Sequence, residues 1–329
     1  MIAITGGGTG GHLVIAKAIK EELNKRGIKP IFIGSTYGQD KAWFENDEGW
    51  SEVYFFDTSG VVNKKGLSKF SSLFNILKYT LKMNSIFKKH NIKKVFSVGG
   101  YSAAPASFGA ILFKKEFFIH EQNAYMGKLN KLLKPFSKRM FSTFFYNDPY
   151  PVRSEFFDNA RVRNEIKTII FLGGSQGAKQ INDFAFEVAK TKKYKIIHQT
   201  GKKDYERCKN FYKENNLDVE YFDFNSNLIQ KIKEADFAVS RAGASTLFEL
   251  VSNQLPTLFI PYPYAAGNHQ YYNAKWLVDK GLGFLSTKPK LSDLDLGVKI
   301  DIISNKLKDI NHKNGSKIIV DEILKDKNV

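Results

Sequence analysis

The chain of 329 residues is 43% hydrophobic and 25% charged, a balance that excludes a disordered polymer and suits a soluble globular protein. Its single cysteine, Cys208, excludes an internal disulfide and fits a reducing cytosolic compartment. The formal charge of +17 favours anionic partners such as phosphorylated substrate, anionic lipid or nucleic acid, although lysines spread through both halves make lysine-heavy composition an equal explanation. The N-terminus enters a strand pattern at once, without the layout of a signal peptide. The longest weakly polar stretch, 103–113, is far short of the roughly 20 residues that cross a bilayer.

In chain order, runs rich in Ile, Val and Phe predict strands over 2–5, 30–34, 52–57, 94–98 and 116–120. Helical patterns lie between them over 13–26, 67–90, 103–113 and 126–133. A proline-broken polar stretch, Asn147-Asp148-Pro149-Tyr150-Pro151, reads as a linker. The scheme then repeats, with strands over 168–172, 195–199, 219–224, 237–240 and 257–261. Its helices fall over 178–191, 205–215, 228–235, 245–252 and 270–280. Such alternation implies an α/β chain of two doubly wound parallel sheets with helices on both faces. The predicted domains are 1–148 and 149–313, with the helical tail 314–329 a candidate to pack back on the first.

Each half opens on a glycine-rich turn between a strand and a helix: Gly6-Gly7-Gly8-Thr9-Gly10-Gly11-His12 and Gly173-Gly174-Ser175-Gln176-Gly177. Such a turn offers unpaired backbone N–H groups and a positive dipole end to an anion. Two of them suggest a pair of nucleotide-fold domains facing each other across a cleft. The first turn satisfies the dinucleotide fingerprint G-x-G-x-x-G, which also wants an acid at the end of the second strand. That strand ends instead in Gly34-Ser35-Thr36, which argues against a nicotinamide or flavin enzyme. Neither turn has the P-loop layout. Asp293-Leu294-Asp295 resembles a metal-binding D-x-D but reads as a solvated helix start, and no cluster has zinc spacing.

Five segments, taken together, resemble the MurG family of peptidoglycan N-acetylglucosaminyltransferases. They are Gly7-Gly8-Thr9-Gly10-Gly11-His12, Gly99-Gly100-Tyr101, His120-Glu121-Gln122-Asn123, Gly173-Gly174-Ser175-Gln176-Gly177-Ala178 and the run from Ser240-Arg241-Ala242-Gly243 through Ala244-Ser245-Thr246-Leu247-Phe248-Glu249. Pro151-Val152-Arg153 and Asn268-His269-Gln270 with Asn273-Ala274 extend the likeness over about residues 2–285. The resemblance implies the GT-B architecture, two Rossmann-like domains facing a cleft. It implies inverting transfer of GlcNAc from UDP-GlcNAc to the C4 hydroxyl of MurNAc in lipid I, giving lipid II. It requires no cofactor or metal and places the enzyme peripherally on the cytoplasmic face of the bacterial plasma membrane.

The same resemblance distributes roles among the residues. The turn with Ser175 would receive the donor diphosphate, and Arg153 would offer its guanidinium fork to phosphate or uridine oxygens. The helix start at Ala244, Ser245 and Thr246, continuing through Leu247 and Phe248, gives a second anion-binding end. Glu249 would accept both ribose hydroxyls, or else be a favourable charge near a helix start. Asn225 falls where the family's backbone reads uracil. Gln270 would read the GlcNAc hydroxyls, while the neighbouring Asn268 departs from the Asp frequent in the family. His269 reads equally as a sugar contact or a surface residue.

On the acceptor side, His12 is the leading general base, because an inverting displacement needs a group to take the attacking hydroxyl's proton. The positive helix end beside it disfavours an imidazolium; the other reading is a cap or pyrophosphate contact. Glu121 and His120 are rival bases. Thr9, Gly10 and Gly11 would approach the reacting phosphate or sugar closely, and Asn123 matches a residue that reaches the donor across the cleft. Gly99, Gly100 and Tyr101 would line the acceptor groove, although a packed aromatic fits Tyr101 nearly as well.

A lipid-anchored acceptor asks for a surface that touches lipid. Phe70, Leu73, Phe74, Leu77 and Leu81 share one helical face, with Lys78 among the flanking lysines. This is the profile of an interfacial helix on anionic lipid, or of an ordinary amphipathic helix covering the sheet. Two other readings differ in kind. Another GT-B UDP-sugar enzyme, such as a UDP-GlcNAc 2-epimerase or a glycolipid transferase, would share the donor site. A basic nucleic-acid-binding protein would explain the charge, but no RRM, KH or zinc module appears, so nucleic acid is not expected as a partner.

Overall fold

The computed structural model describes residues 1–61, 66–225, 227–296 and 300–325. The chain divides into two compact units, one of Met1–Pro151 with Asn314–Val329 and one of Val152–Lys313. In the first unit, strands and helices alternate as β1 (Ile2–Thr5), α1 (Gly10–Lys25), β2 (Ile31–Ser35), α2 (Asp40–Phe44), β3 (Glu52–Phe56) and α3 (Leu67–Lys89). There follow β4 (Lys94–Ser97), α4 (Ala104–Leu112), β5 (Glu116–His120), α5 (Lys128–Leu133), β6 (Arg139–Phe141) and α6 (Thr143–Tyr146). The sheet order is β3-β2-β1-β4-β5-β6, all parallel. The order reverses at β1 and β4, whose register pairs Ile4 with Phe96. Loops following the strands on either side of such a reversal splay apart and leave a crevice at their carboxyl ends.

The second unit repeats the plan. It runs α7 (Ser154–Asp158), β7 (Thr168–Leu172), α8 (Lys179–Lys190), β8 (Lys195–Gln199), α9 (Tyr205–Glu214), β9 (Val219–Phe222) and α10 (Ile229–Ile232). It continues with β10 (Phe237–Ser240), α11 (Ala244–Ser252), β11 (Thr257–Phe259), α12 (His269–Val278), β12 (Phe284–Leu285) and α13 (Ile300–Leu307). The parallel order is β12-β11-β10-β7-β8-β9, so β7 and β10 flank the reversal. These two strands carry the Gly173–Gly177 turn and the Gly243–Glu249 helix start.

The central strands β1, β4, β7 and β10 are buried on both faces, which is why they read as continuous apolar runs and not as alternating ones, while the edge strands β3, β9 and β12 are half-buried. One core packs Ala3, Ile31, Val95 and Ile119 against Met83, Phe87 and Ala110 of α3 and α4. The other packs Ile169, Phe171 and Val239 against Phe184, Tyr212 and Leu258. The tail helix α14 (Gly315–Leu324) lies on α1 in the first unit. Its C-terminal end is held by the buried Lys94 ammonium, which donates to the Ile323 carbonyl at 2.8 Å, and by Arg26, which pairs with Asp321 at 2.6 Å. A cation at this end complements the helix dipole.

Candidate functional site

In the first unit the glycines interlock at the carboxyl ends of β1 and β4. Gly6, Gly8, Gly99 and Gly100 all have positive φ, and Gly7 N–H donates to Gly99 O at 3.1 Å. A Cβ on Gly100 would come within 2.2 Å of Gly7 O, so only glycine allows the two turns to touch. Asp40, fully buried at the start of α2, accepts from Gly8 N–H and, at 2.9 Å, from Ser35 N–H. The acid that the dinucleotide fingerprint seeks at the end of β2 thus arrives five residues later. Its oxygens hold protein backbone instead of a ribose. Tyr101 packs over this turn, its ring Cε1 2.5 Å from where a Gly8 Cβ would stand. Burial, with the Asp40 charge second, holds its phenol above the ordinary pKa.

His12 is the third residue of α1, directly above these turns. Thr9 precedes the helix in extended conformation, and its hydroxyl lies 3.0 Å from His12 Nδ1. That contact orients the ring, whose Nε2 would stand 3.5 Å from a Cβ on Gly99. The missing side chain at Gly99 keeps space in front of the imidazole.

The end of β5 supplies two further titratable groups with different environments. His120 is 1% exposed, with its ring edge-on to Tyr150 at 5.5 Å. Burial, and secondarily the charge of His12, pushes its pKa down to about 3, so it is a neutral and weak base. Glu121 is 3% exposed. Its oxygens accept from Asn123 N–H at 3.0 Å, Gly127 N–H at 2.9 Å and Asn130 Nδ2 at 2.9 Å. Burial raises its pKa against these hydrogen bonds. A carboxyl so occupied orders the 121–127 loop, Asn123 included, and has little capacity left for a substrate proton.

In the second unit the Gly173–Gly177 turn interlocks in the same way with the turn after β8. Gly174, Gly177 and Gly201 have positive φ, and a Cβ on Gly201 would fall 2.0 Å from Gly177 N. Ser175 lies half-buried at the crest, its carbonyl accepting from Lys202 N–H at 3.1 Å. Beyond it the first-turn N–H groups of α8 end at the turn, where an anion would be favoured.

Beside the turn lies a pocket of about 710 Å³ whose lining includes Gly173, Gly177, Arg241, Tyr262, Tyr264 and Gln270, a volume typical of a ligand site. Gln270 receives Tyr262 N–H on its amide oxygen at 2.9 Å. Arg241, which the family likeness gives no role, lines the same pocket. Its Nη1 donates to the carbonyls of Ile260 at 2.9 Å and Pro261 at 3.0 Å, and burial lowers its pKa. Asn268 adopts left-handed φ before α12, a conformation Asn tolerates better than most residues. His269 Nδ1 sits 2.8 Å from Ala266 O, which ties it to the local turn.

At the start of α11, Leu247 N–H closes the first turn on Gly243 O at 2.9 Å. Ala244 and Ser245 are buried and Thr246 half-buried at the helix start. Leu247 and Phe248 are fully buried, so their side chains belong to the core and a ligand would meet only their backbone. Glu249 lies on the partly accessible face and makes no hydrogen bond through its carboxyl among the described residues. Burial raises its pKa to about 7, with Arg153 the charge that favours the carboxylate and Glu155 the one that opposes it. The Arg153 guanidinium sits 5.4 Å over the Phe156 ring. Asn225 stands apart, in the loop after edge strand β9, where its Oδ1 accepts from Asn227 N–H at 2.8 Å.

Phe70 (72% exposed), Phe74 (66%) and Leu77 (59%), with Leu73 and Leu81, face solvent along α3, while Met83 and Phe87 further along are buried. Lys78 is exposed on the same helix. No helix among the described residues is long and apolar enough to cross a membrane, and no three His, Cys, Asp or Glu side chains among them cluster as a metal site.

Comparison with known proteins brings these observations together. The glycosyltransferase family 28 N-terminal domain matches residues 2–142, and the family 28 C-terminal domain matches residues 168–322. UDP-N-acetylglucosamine--N-acetylmuramyl-(pentapeptide) pyrophosphoryl-undecaprenol N-acetylglucosamine transferases of Campylobacter jejuni subsp. doylei and Campylobacter fetus are 51% and 52% identical, over 98% and 99% of this chain and 97% and 100% of theirs. The crystal structure of Acinetobacter baumannii MurG shares the fold at TM-score 0.80 and 24% identity, covering 98% of each chain. A UDP-GlcNAc 2-epimerase from Neisseria meningitidis shares it at TM-score 0.63 and 12% identity, covering 99% of this chain and 100% of its own. The chain therefore belongs to the MurG family within glycosyltransferase family 28.

Proposed function

We propose that this chain transfers GlcNAc from UDP-GlcNAc to the C4 hydroxyl of the MurNAc unit of lipid I, forming lipid II. The reading rests above all on the full-length relatives at 51–52% identity that carry this activity in their names. The donor belongs to the second unit. Its diphosphate lies at the Gly173–Gly177 turn and the α11 start, its ribose hydroxyls on Glu249, Arg153 beside its charged part, and its sugar toward Gln270. The acceptor belongs to the first unit, at the turns carrying His12 and Gly99–Tyr101. His12 takes the proton of the C4 hydroxyl as that oxygen attacks the anomeric carbon; the bond to the UDP oxygen breaks, UDP leaves, and the anomeric configuration inverts. Thr9 holds the ring in one orientation for this step.

The chain works as a peripheral protein on the cytoplasmic membrane face, with the exposed stripe of α3 as its contact. An exposed apolar stripe beside lysines gains from burial in the interface and from anionic headgroups together. Purified protein with labelled UDP-GlcNAc and a lipid I analogue is expected to yield a GlcNAc-bearing lipid. No transfer over a range of lipid and detergent would overturn the activity. In the same assay, replacing Phe70, Phe74 and Leu77 together by Ser is expected to cut sedimentation with anionic vesicles by at least about tenfold. Turnover on a short-chain, water-soluble acceptor should be spared. Unchanged vesicle binding would remove α3 from the membrane contact.

A further inference from the structure

One buried cluster in the second unit is unused by the chemistry above. Arg163 is fully buried, yet its guanidinium meets only carbonyl oxygens. Nη2 donates to Asn253 Oδ1 at 2.6 Å, Nη1 to Arg161 O at 2.6 Å and also to Asn253 O, and Nε to Ala235 O at 3.3 Å. Its own N–H donates to Ser304 Oγ at 3.0 Å. Asn253, also fully buried, spends both amide hydrogens on the segment that follows Arg153: Nδ2 donates to Phe156 O at 3.1 Å and to Asn159 O at 2.9 Å. Asn253 is the residue that ends α11, and its N–H closes on Glu249 O at 3.1 Å.

These bonds join two helices that carry the donor-site charges. α7 begins one residue after Arg153, and Phe156 on it is the aromatic under the Arg153 guanidinium. α11 carries Glu249 one turn before Asn253. A cation buried among carbonyls is costly unless its donors are used, and here the guanidinium fork places four of its five N–H donors on oxygens, more than an ammonium's three could supply. The cost is understandable if the cluster fixes something that packing alone would leave loose. We propose that Arg163 and Asn253 form a buried clamp that sets Arg153 against Glu249, making both of them positioning residues for the nucleotide.

The proposal rests on the donor assignment of Arg153, so its test separates the two. Asn253→Asp keeps an acceptor for Arg163 and adds an opposite charge, but it removes both donors to α7 and the residue that follows it. The expected result is about tenfold weaker UDP binding by calorimetry and a raised KM for UDP-GlcNAc, with kcat at saturating donor retained. In an Arg153→Ala background the same substitution should cost almost nothing more, since coupled residues are non-additive. Equal loss in both backgrounds would overturn the clamp as a device acting through Arg153, and so would unchanged UDP affinity in Asn253→Asp when Arg153→Ala weakens it. Wild-type affinity in Arg153→Ala itself would overturn the donor role of Arg153 and the clamp with it. Should Asn253→Asp fail to fold, Asn253→Ser, which keeps one donor and fills less space, enters the same cycle with the same expected pattern.

Discussion

Replacing His12 by Ala is expected to lower kcat by about 10²- to 10⁴-fold, the usual contribution of a positioned general base. The dissociation constant for UDP-GlcNAc should move by less than about threefold, because the donor contacts proposed for Arg153, Glu249 and Gln270 all belong to the second unit. The geometry gives this expectation its sign. Among the titratable groups at the first unit's turns, His120 is buried to a pKa of about 3 and would hold no proton it removed. Glu121 has its oxygens taken by Asn123, Gly127 and Asn130. His12 alone of the three combines partial exposure with an orienting contact, the Thr9 hydroxyl at 3.0 Å from Nδ1. Thr9→Ala should therefore reproduce the defect weakly, about tenfold in kcat, by releasing the ring without removing it. Steady-state kinetics with donor and acceptor varied separately, beside calorimetry with UDP, checks both variants. Parallel losses of turnover and donor affinity in His12→Ala would take the proton-transfer role away from it.

Much of this arrangement could be read from the amino-acid order, for physical reasons that also explain the failures. Strands β1, β5, β7, β8 and β10 fall on the predicted residues, because a parallel strand buried on both faces is a short apolar run with abrupt ends. β6 and β12 escaped the prediction. Residues Arg139–Phe141 and Phe284–Leu285 form edge strands of three and two residues, fixed by pairing with β5 and β11 and not by any pattern of their own. The sequence pattern of α3 reads as one amphipathic helix, but its period cannot say which stretch of the stripe is covered. Met83 and Phe87 pack against the sheet while Phe70 and Phe74 remain outside.

The glycine turns were legible because positive φ and close backbone approach admit little else. What holds them was not. Asp40 was invisible because a fingerprint looks for an acid at the end of β2, whereas this carboxylate reaches the turn from α2. Arg163 and Asn253 were invisible because a polar residue buried by tertiary contact carries no local signal. The likeness to a family assigns roles to Arg153 and Glu249 without saying that Glu249 is desolvated or that Leu247 and Phe248 are core.

That desolvation carries the second large expectation. A carboxylate that accepts two ribose hydroxyls makes charge-assisted hydrogen bonds worth about 1.5–3 kcal/mol, so Glu249→Ala should weaken UDP-GlcNAc binding by about 10- to 100-fold while a saturated enzyme still turns over. The pH dependence is more telling. Burial raises the Glu249 pKa to about 7 in the free protein, against an ordinary value of 4.5. The folded chain therefore binds a proton here more readily than the unfolded one. This group's contribution to stability is present in full below about pH 4.5 and is lost as pH rises to about 7. Donor binding runs the other way. Hydroxyls donate to the ionised form, so affinity should fall as pH drops through 7, approaching tenfold per pH unit below it. Arg153 favours the carboxylate, so removing its charge should push this transition to still higher pH. Calorimetric titrations with UDP between about pH 5.5 and 8.5 measure the slope directly. Glu249→Gln, which keeps the shape and loses the titration, should bind weakly and with a flat profile over the same range. A wild-type profile as flat as that of Glu249→Gln would mean that the ribose finds its partner elsewhere, and Glu249 would revert to a half-buried charge near a helix start.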